Sequence, residues 1–291
     1  MKKKIQSAVY QFVNGPFGTV ITETSGHLLV LLRPKRAIEL SEGGMTIVFK
    51  NTMSIPERLM RNAILKKLEK NQDYNGLVKL HKNYWTNKGT ELFIKTKDAF
   101  ENVFIPNWTF IFDELEQKLL NSTVPFHTMV EIGTGNGSVL HYLSKKFPNI
   151  EKFIGLDLSG PQMDLNREKY KTHSSLNFVA GDAIEWVRQY GQSHTIFITS
   201  GGVLEYFTEL QLQVFLAEIN KLGATIFVAI EPNDVHHNFA LNPNFQVYGY
   251  ERSFSHNYEK IFTNAYFKIW HLSRRPSPED WYNLTFIGAE N

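Results

Sequence analysis

The residues that could do chemistry gather first in one stretch, Met129-Val130-Glu131-Ile132-Gly133-Thr134-Gly135-Asn136-Gly137-Ser138. Glycines at alternate positions after an apolar run allow backbone angles closed to other residues and let a ligand approach the main chain closely. Glu131 sets a carboxylate just ahead of that turn, where it suits a cation and would repel a pyrophosphate. Asp157 ends the apolar run Phe153 to Leu156, 20 residues beyond Gly137. A carboxylate in that place can accept hydrogen bonds from both hydroxyls of a ribose. Asp182 stands in the same way after Asn177 to Gly181. Groups able to move a proton follow later in the chain: Glu205, Tyr206, Glu231, Asp234, His236, His237 and His256.

These residues need a frame. Met129 to Ile132, the glycines and the helical spacing of Ser138 to Leu143 read as strand, turn, helix. Strands are expected again at Phe153 to Leu158, Asn177 to Ala180, Thr195 to Thr199 and Ala224 to Ile230, with Glu231 to Asp234 as the loop after the last. Helices are expected from Ser159-Gly160-Pro161 to about Tyr170 and around Leu212, Phe215, Leu216 and Ile219. Ser253 to Asn264 reads as a helix with Ser255 as its N-cap. Tyr266 to Leu272 and Trp281 to Ile287 alternate as two strands joined through Arg274 to Pro278. In an open α/β sheet of this kind ligands bind at the carboxyl ends of the strands, which is where the acids fall.

Residues 1–120 read differently. Thr19 to Thr22, His27 to Leu32 and Thr46 to Phe49 are β-type runs separated by Ser25-Gly26, Arg33-Pro34 and Gly43-Gly44, and predict short antiparallel strands. Ser54-Ile55-Pro56-Glu57 predicts a helix start, and further helices are expected over 74–81, 90–100 and 108–120. Tyr84, Trp85, Phe93, Phe100, Phe104, Trp108, Phe110 and Phe112 must for the most part pack a core. The expected organisation is an N-terminal extension of strands then helices, 1–120, and a second domain, 121–291.

The pattern E-x-G-x-G-x-G resembles motif I of the class I S-adenosylmethionine-dependent methyltransferases, and the ordered acids, strands and C-terminal hairpin extend that resemblance over about residues 121–291. The resemblance implies a Rossmann-like α/β sheet, five βα units closed by an antiparallel hairpin, here with a mixed strand and helix extension. It implies S-adenosyl-L-methionine as cofactor, bound by Glu131, Gly133, Thr134, Gly135, Gly137, Asp157, Leu158, Asp182, Ala183, Ser200 and Gly201. It also implies a small-molecule acceptor, covered by Tyr84, Trp85 and Phe104 and faced by His256 and Tyr258. His236, His237, Glu205 and Tyr206 are the candidates for a base. Ser200-Gly201-Gly202 departs from the N/D-P-P-Y of enzymes that methylate base amines, and no aspartate stands where catechol-type enzymes hold Mg²⁺. No metal site is therefore expected, and nucleic acid is a poor fit. An NAD-dependent oxidoreductase and a non-catalytic cofactor-binding module of the same fold are the alternatives.

Composition agrees with this frame. A chain of 291 residues, 42% of them hydrophobic, can bury a sizeable core. No apolar run reaches the roughly 20 residues that span a bilayer, no signal peptide is read, and a cytoplasmic enzyme with no membrane partner is expected. Without cysteine, thiolate chemistry and disulfides are excluded. Residues 1–120 carry 18 Lys and Arg against 12 Asp and Glu, and residues 121–291 carry 13 against 17. The basic excess is dispersed, which suits a solvated surface more than a polyanion site. Assembly into a homo-oligomer is compatible with this composition.

Overall fold

The computed structural model describes residues 16–48, 52–96, 98–277 and 282–291. By contact they group into two compact units, one up to Asn87 together with Tyr250–Arg252, the other from Lys88 to Gly249 and from Ser253 to Asn291. The expected boundary at 120 is thus not where the contacts divide.

The first unit is helical: α1 (Pro16–Leu32), α2 (Pro34–Glu42), α3 (Ile55–Lys70) and the first turns of α4 (Tyr74–Lys95). The strands expected at 19–22 and 27–32 are instead one helix, α1. Gly26, which reads as a turn residue, lies inside it. A Cβ there would stand 2.3 Å from the Leu59 carbonyl oxygen and 2.8 Å from Ala63 Cβ, so the missing side chain lets α1 lie directly on α3. Packing of this kind overrides a weak β propensity. The expected strand at 46–49 is also absent over its described residues, 46–48; Phe49 lies outside them. The reason is Arg61, which donates through Nε to Met45 O at 2.6 Å and through a terminal nitrogen to Thr46 O, removing those carbonyls from any ladder. The same guanidinium donates to Tyr250 O at 2.9 Å. The start of α3 is as expected: Ser54 N donates to Glu57 Oε2 at 2.8 Å, a capping box with Pro56 in the first turn. The pieces at 74–81 and 90–100 are joined in the single helix α4, which ends at Lys95.

In the second unit a π-helical turn, Phe100–Phe104, leads into α5 (Ile105–Trp108) and α6 (Phe110–Leu120). Next come β1 (Thr128–Ile132), α7 (Ser138–Lys146), β2 (Lys152–Asp157), α8 (Gly160–Lys169), β3 (Leu176–Ala180), α9 (Ala183–Tyr190) and β4 (Thr195–Ser200). The chain continues through α10 (Glu209–Asn220), β5 (Thr225–Asp234), β6 (Gln246–Tyr248), β7 (Ser253–Ser255), α11 (Tyr258–Asn264), β8 (Lys268–Pro276) and β9 (Tyr282–Glu290). The main sheet has the order β3-β2-β1-β4-β5-β9-β8, parallel as far as β5 and antiparallel at β9 and β8. This is the Rossmann-like sheet closed by an antiparallel hairpin that the resemblance implies.

Alternation along the strands feeds two cores. Met129, Ile196, Ile198, Ile226, Val228 and Ile230 face Leu140, Leu143 and Met163 with Phe104, Ile111, Phe112 and Leu115. Val130, Phe197, Phe227 and Ala229 face Val187, Phe215, Leu216 and Phe262. Part of the segment expected to be extension, Phe104 to Leu115, is therefore a layer of the sheet.

Two local expectations are corrected. Glu231 to Asp234, expected as a loop, continues β5, because β9 supplies partners as far as Asp234 opposite Tyr282. Pro232 is tolerated there because β4 stops at Ser200, paired with Ile230, so the strand beyond has an open edge. Ser253 to Ser255 is not the start of a helix. It is β7, paired with β6, and the helix after it is capped by Asn257, whose Oδ1 accepts from Lys260 N at 3.2 Å.

Candidate functional site

The carboxyl ends of β1, β2 and β4 meet at the glycine turn. Gly133, Gly135 and Gly137 take φ of +69°, +52° and +73°, the left-handed angles that the spacing demands. Gly133 N and Thr134 N both donate to Leu156 O, at 2.7 and 3.1 Å, so the turn is sewn onto β2. Glu131, 1% exposed, accepts from Thr134 Oγ1 at 2.6 Å and from Ser200 Oγ at 2.9 Å. It thereby locks the glycine turn to the end of β4. Burial raises its carboxyl to about 7, against the pull of these two hydroxyls.

Asp157 is placed where a ribose-binding acid is needed, but it already has work within the fold. Its Oδ2 accepts from Gly135 N at 3.0 Å and its Oδ1 from Ser159 N at 3.0 Å. Burial raises its pKa in spite of these bonds. The Leu158 amide also bonds to this carboxylate, which leaves one of its lone-pair sites for a ligand. Leu158 beside it is half-buried. Asp182 caps α9, its Oδ1 accepting from Ile184 N at 3.0 Å and Glu185 N at 3.3 Å, with the buried Ala183 as the first helical residue. Gly181 N donates to Asp157 O at 2.9 Å, which draws this acid toward the end of β2.

The loop after β4 lies against this turn. Gly201 and Gly202 have φ of +81° and +93°. A Cβ on Gly133 would meet Val203 Cγ2 at 2.5 Å, so the two glycine turns pack on each other. Glu231, fully buried, holds the loop by accepting from Val203 N and Leu204 N, both at 2.9 Å. Burial raises its carboxyl to about 7.

Residues that sequence reasoning missed lie against these glycines. A Cβ on Gly135 would stand 2.6 Å from the ring of Phe93, and one on Gly201 would stand 3.2 Å from the indole of Trp108. Thr90 Oγ1 lies 3.5 Å from Ser159 Oγ. Asn166, buried in α8, donates to Gly135 O at 2.7 Å. The aromatic enrichment of 84–112 was the only available signal for the cover, and it does not single out Phe93 and Trp108. A buried amide on the inner face of α8 was legible only as a departure from apolar periodicity.

The remaining candidates are placed as follows. Tyr84, 1% exposed, and Trp85, edge-on to it at 5.3 Å, belong to the first unit. Phe104, 3% exposed, is spent on the sheet core, stacked on Phe100. His236 is exposed. His237 is buried with both ring nitrogens engaged, Nδ1 with Ser255 Oγ at 2.9 Å and Nε2 with Asn242 O at 3.0 Å. It could act as a base only by giving one of these up. His256 is fully buried, Nε2 at 3.0 Å from Phe207 O, and burial lowers its pKa to about 3. Tyr258 is buried in the core beside it. Tyr206 is half-buried in the loop after β4, and Glu205 accepts from Tyr248 Oη at 2.5 Å.

Residues 129–223 match the family model of a methyltransferase domain. That segment, from β1 through α10 with both glycine turns, is thus similar to a methyltransferase domain. This favours a methyltransferase for the chain over the oxidoreductase and the non-catalytic module. Its fold is shared with the magnesium protoporphyrin IX methyltransferase of Synechocystis PCC 6803, solved with bound SAH, at 14% identity and a TM-score of 0.52, over 74% of this chain and 99% of that one. The 1,6-didemethyltoxoflavin-N1-methyltransferase of Burkholderia thailandensis is also similar, at 14% identity and a TM-score of 0.47, over 69% and 86%. No curated protein matches the chain by sequence. Among the described residues no helix is long and apolar enough to cross a membrane, and no group of three or more His, Asp or Glu could hold a metal.

Proposed function

We propose that this methyltransferase transfers the methyl group to an oxygen or nitrogen of a small molecule, with the donor lying across Gly133, Gly135 and Gly137. The observation that carries the reading is the junction of Glu131, Thr134 and Ser200, which sets a buried carboxylate between the two glycine turns. A carboxylate in that place suits the cationic amino and sulfonium groups of the donor. Asp157 at the end of β2 is proposed to receive the ribose, and Asp182 with Ala183 the adenine.

The proposal that the acceptor is small draws on the cleft's cover. Phe93 and Trp108 supply apolar walls close to the glycine turns, and such walls with a few placed polar groups are what a small-molecule pocket needs. The protoporphyrin enzyme of the same fold acts on a small molecule. Residues 1–120, with Tyr84 and Trp85, are proposed to choose the acceptor, and a cytoplasmic site of action belongs to the same reading. Transfer itself asks little of the protein beyond holding the acceptor in line with the methyl and excluding water.

The test is to incubate the protein with donor labelled in its methyl group and a metabolite extract, alongside a nucleic-acid and a protein fraction. Label is expected in the small-molecule fraction alone. Label confined to either macromolecular fraction would overturn the proposal.

A further inference from the structure

We infer that Asn166, backed by Gln162, is a positioning residue for Asp157: through Gly135 it aims the one open acceptor site of that carboxylate at a ribose hydroxyl. This rests on the reading above that Asp157 receives the ribose of the donor.

The buried side of α8 is polar at three positions where a helix packed on a sheet ordinarily buries apolar side chains. Ser159, just ahead of the helix, Gln162 and Asn166 are spaced i, i+3 and i+7, which sets them on one side of it, and all three are buried. Burying two amides costs stability unless their hydrogen bonds are made. Here the bonds close into a ring. Ser159 N donates to Asp157 Oδ1 at 3.0 Å, and Ser159 Oγ accepts from Gln162 N at 3.3 Å. Gln162 Nε2 donates to Asn166 Oδ1 at 2.9 Å, Asn166 Nδ2 donates to Gly135 O at 2.7 Å, and Gly135 N donates to Asp157 Oδ2 at 3.0 Å. The ring begins and ends on Asp157, and it passes through the glycine turn on which the donor is proposed to lie.

The ring sets directions as well as contacts. The bond from Gln162 occupies Asn166 Oδ1, so the Nδ2 of the same amide is the atom turned to Gly135. Gly135, at φ +52° and without a side chain, has the freedom to turn its peptide groups, and bonds at both its N–H and its carbonyl remove that freedom. Asp157 has three of its roughly four acceptor sites committed to the amides of Gly135, Leu158 and Ser159. With a single site left, its direction decides whether a hydroxyl can be met. Releasing the Gly135 carbonyl frees the turn and, through the Gly135 amide, the Oδ2 that it holds.

The test compares S-adenosylhomocysteine with its analogue lacking both ribose hydroxyls, by calorimetry, with folding of each variant checked by its melting transition. A hydroxyl donating to a carboxylate is a charge-assisted bond, so the wild type should prefer S-adenosylhomocysteine by about tenfold or more. Asn166→Leu keeps a branched side chain and removes its donor. The preference is expected to fall to within about threefold, through weaker binding of S-adenosylhomocysteine, while affinity for the analogue changes less than about twofold. A role confined to stability would leave the preference as it is in the wild type. Gln162→Met removes the bond that fixes which way the Asn166 amide faces, and should reduce the preference about threefold. An unchanged preference in Asn166→Leu overturns the inference, and if that variant does not fold, an unchanged preference in Gln162→Met does so. A wild type that binds both compounds equally overturns the assignment of ribose to Asp157, and one that binds neither overturns the donor site itself.

Discussion

The carboxylate of Asp157 and the amide of Gly135 are joined at 3.0 Å across the ends of β2 and the glycine turn. The residue proposed to bind ribose is thus also the clasp of the turn beside it.

This double role separates two substitutions. Asp157→Ala leaves the amides of Gly135 and Ser159 without their acceptor, at roughly 1 to 3 kcal/mol each. Asp157→Asn keeps one oxygen and costs less. Both are expected to weaken S-adenosylhomocysteine tenfold or more by calorimetry, and only the alanine variant should also lower the melting temperature by several degrees. Unchanged affinity in the asparagine variant would remove Asp157 from the site.

Gly135 offers a second comparison. At φ +52°, and with the Phe93 ring 2.6 Å from where its Cβ would go, Gly135→Val meets both backbone strain and a clash. Binding of S-adenosylhomocysteine should be abolished. Adding Phe93→Ala relieves the clash but not the strain, so the double variant should recover only part of the thermal stability and none of the affinity. Full recovery of affinity would show that Phe93 alone had excluded the side chain.

The pH dependence follows from Glu131 and Glu231, both raised by burial to about 7 from an ordinary value near 4.5. A raised carboxyl binds its proton more tightly in the folded state, so its contribution is fully present below about pH 4.5 and is lost as the pH rises through 7. For each group this is on the order of 3 kcal/mol across that window. Glu131→Gln still accepts from Thr134 or Ser200 and carries no charge. It should melt higher than wild type at pH 8, and the difference should shrink toward pH 5. A constant difference across that range would show that Glu131 does not titrate there.

The proposed division of labour between cofactor and acceptor is tested at Trp85, half-buried in the first unit. Trp85→Ala should lower labelled-product formation in the metabolite extract at least tenfold and leave the S-adenosylhomocysteine affinity within about twofold. Damage confined to the cofactor affinity would assign this residue to the donor.

The succession of β1 to β5 along the chain, the positive-φ glycines and the acids at the strand ends were legible in the sequence, because they follow from local rules. A glycine at every second position after an apolar run is a statement about φ, and alternation along Ile226 to Ile230 is a statement about two faces. What only the tertiary structure decided are features that depend on a distant neighbour. Thr19 to Leu32 has β-type composition and becomes helix because Gly26 can lie on Leu59. Thr46 to Val48 stays irregular because Arg61 takes the carbonyls of Met45 and Thr46 at its start. Glu231 to Asp234 continues a strand because β9 is there to pair with it, and Phe93 and Trp108 lie against Gly135 and Gly201 because three-dimensional approach has no period along the chain.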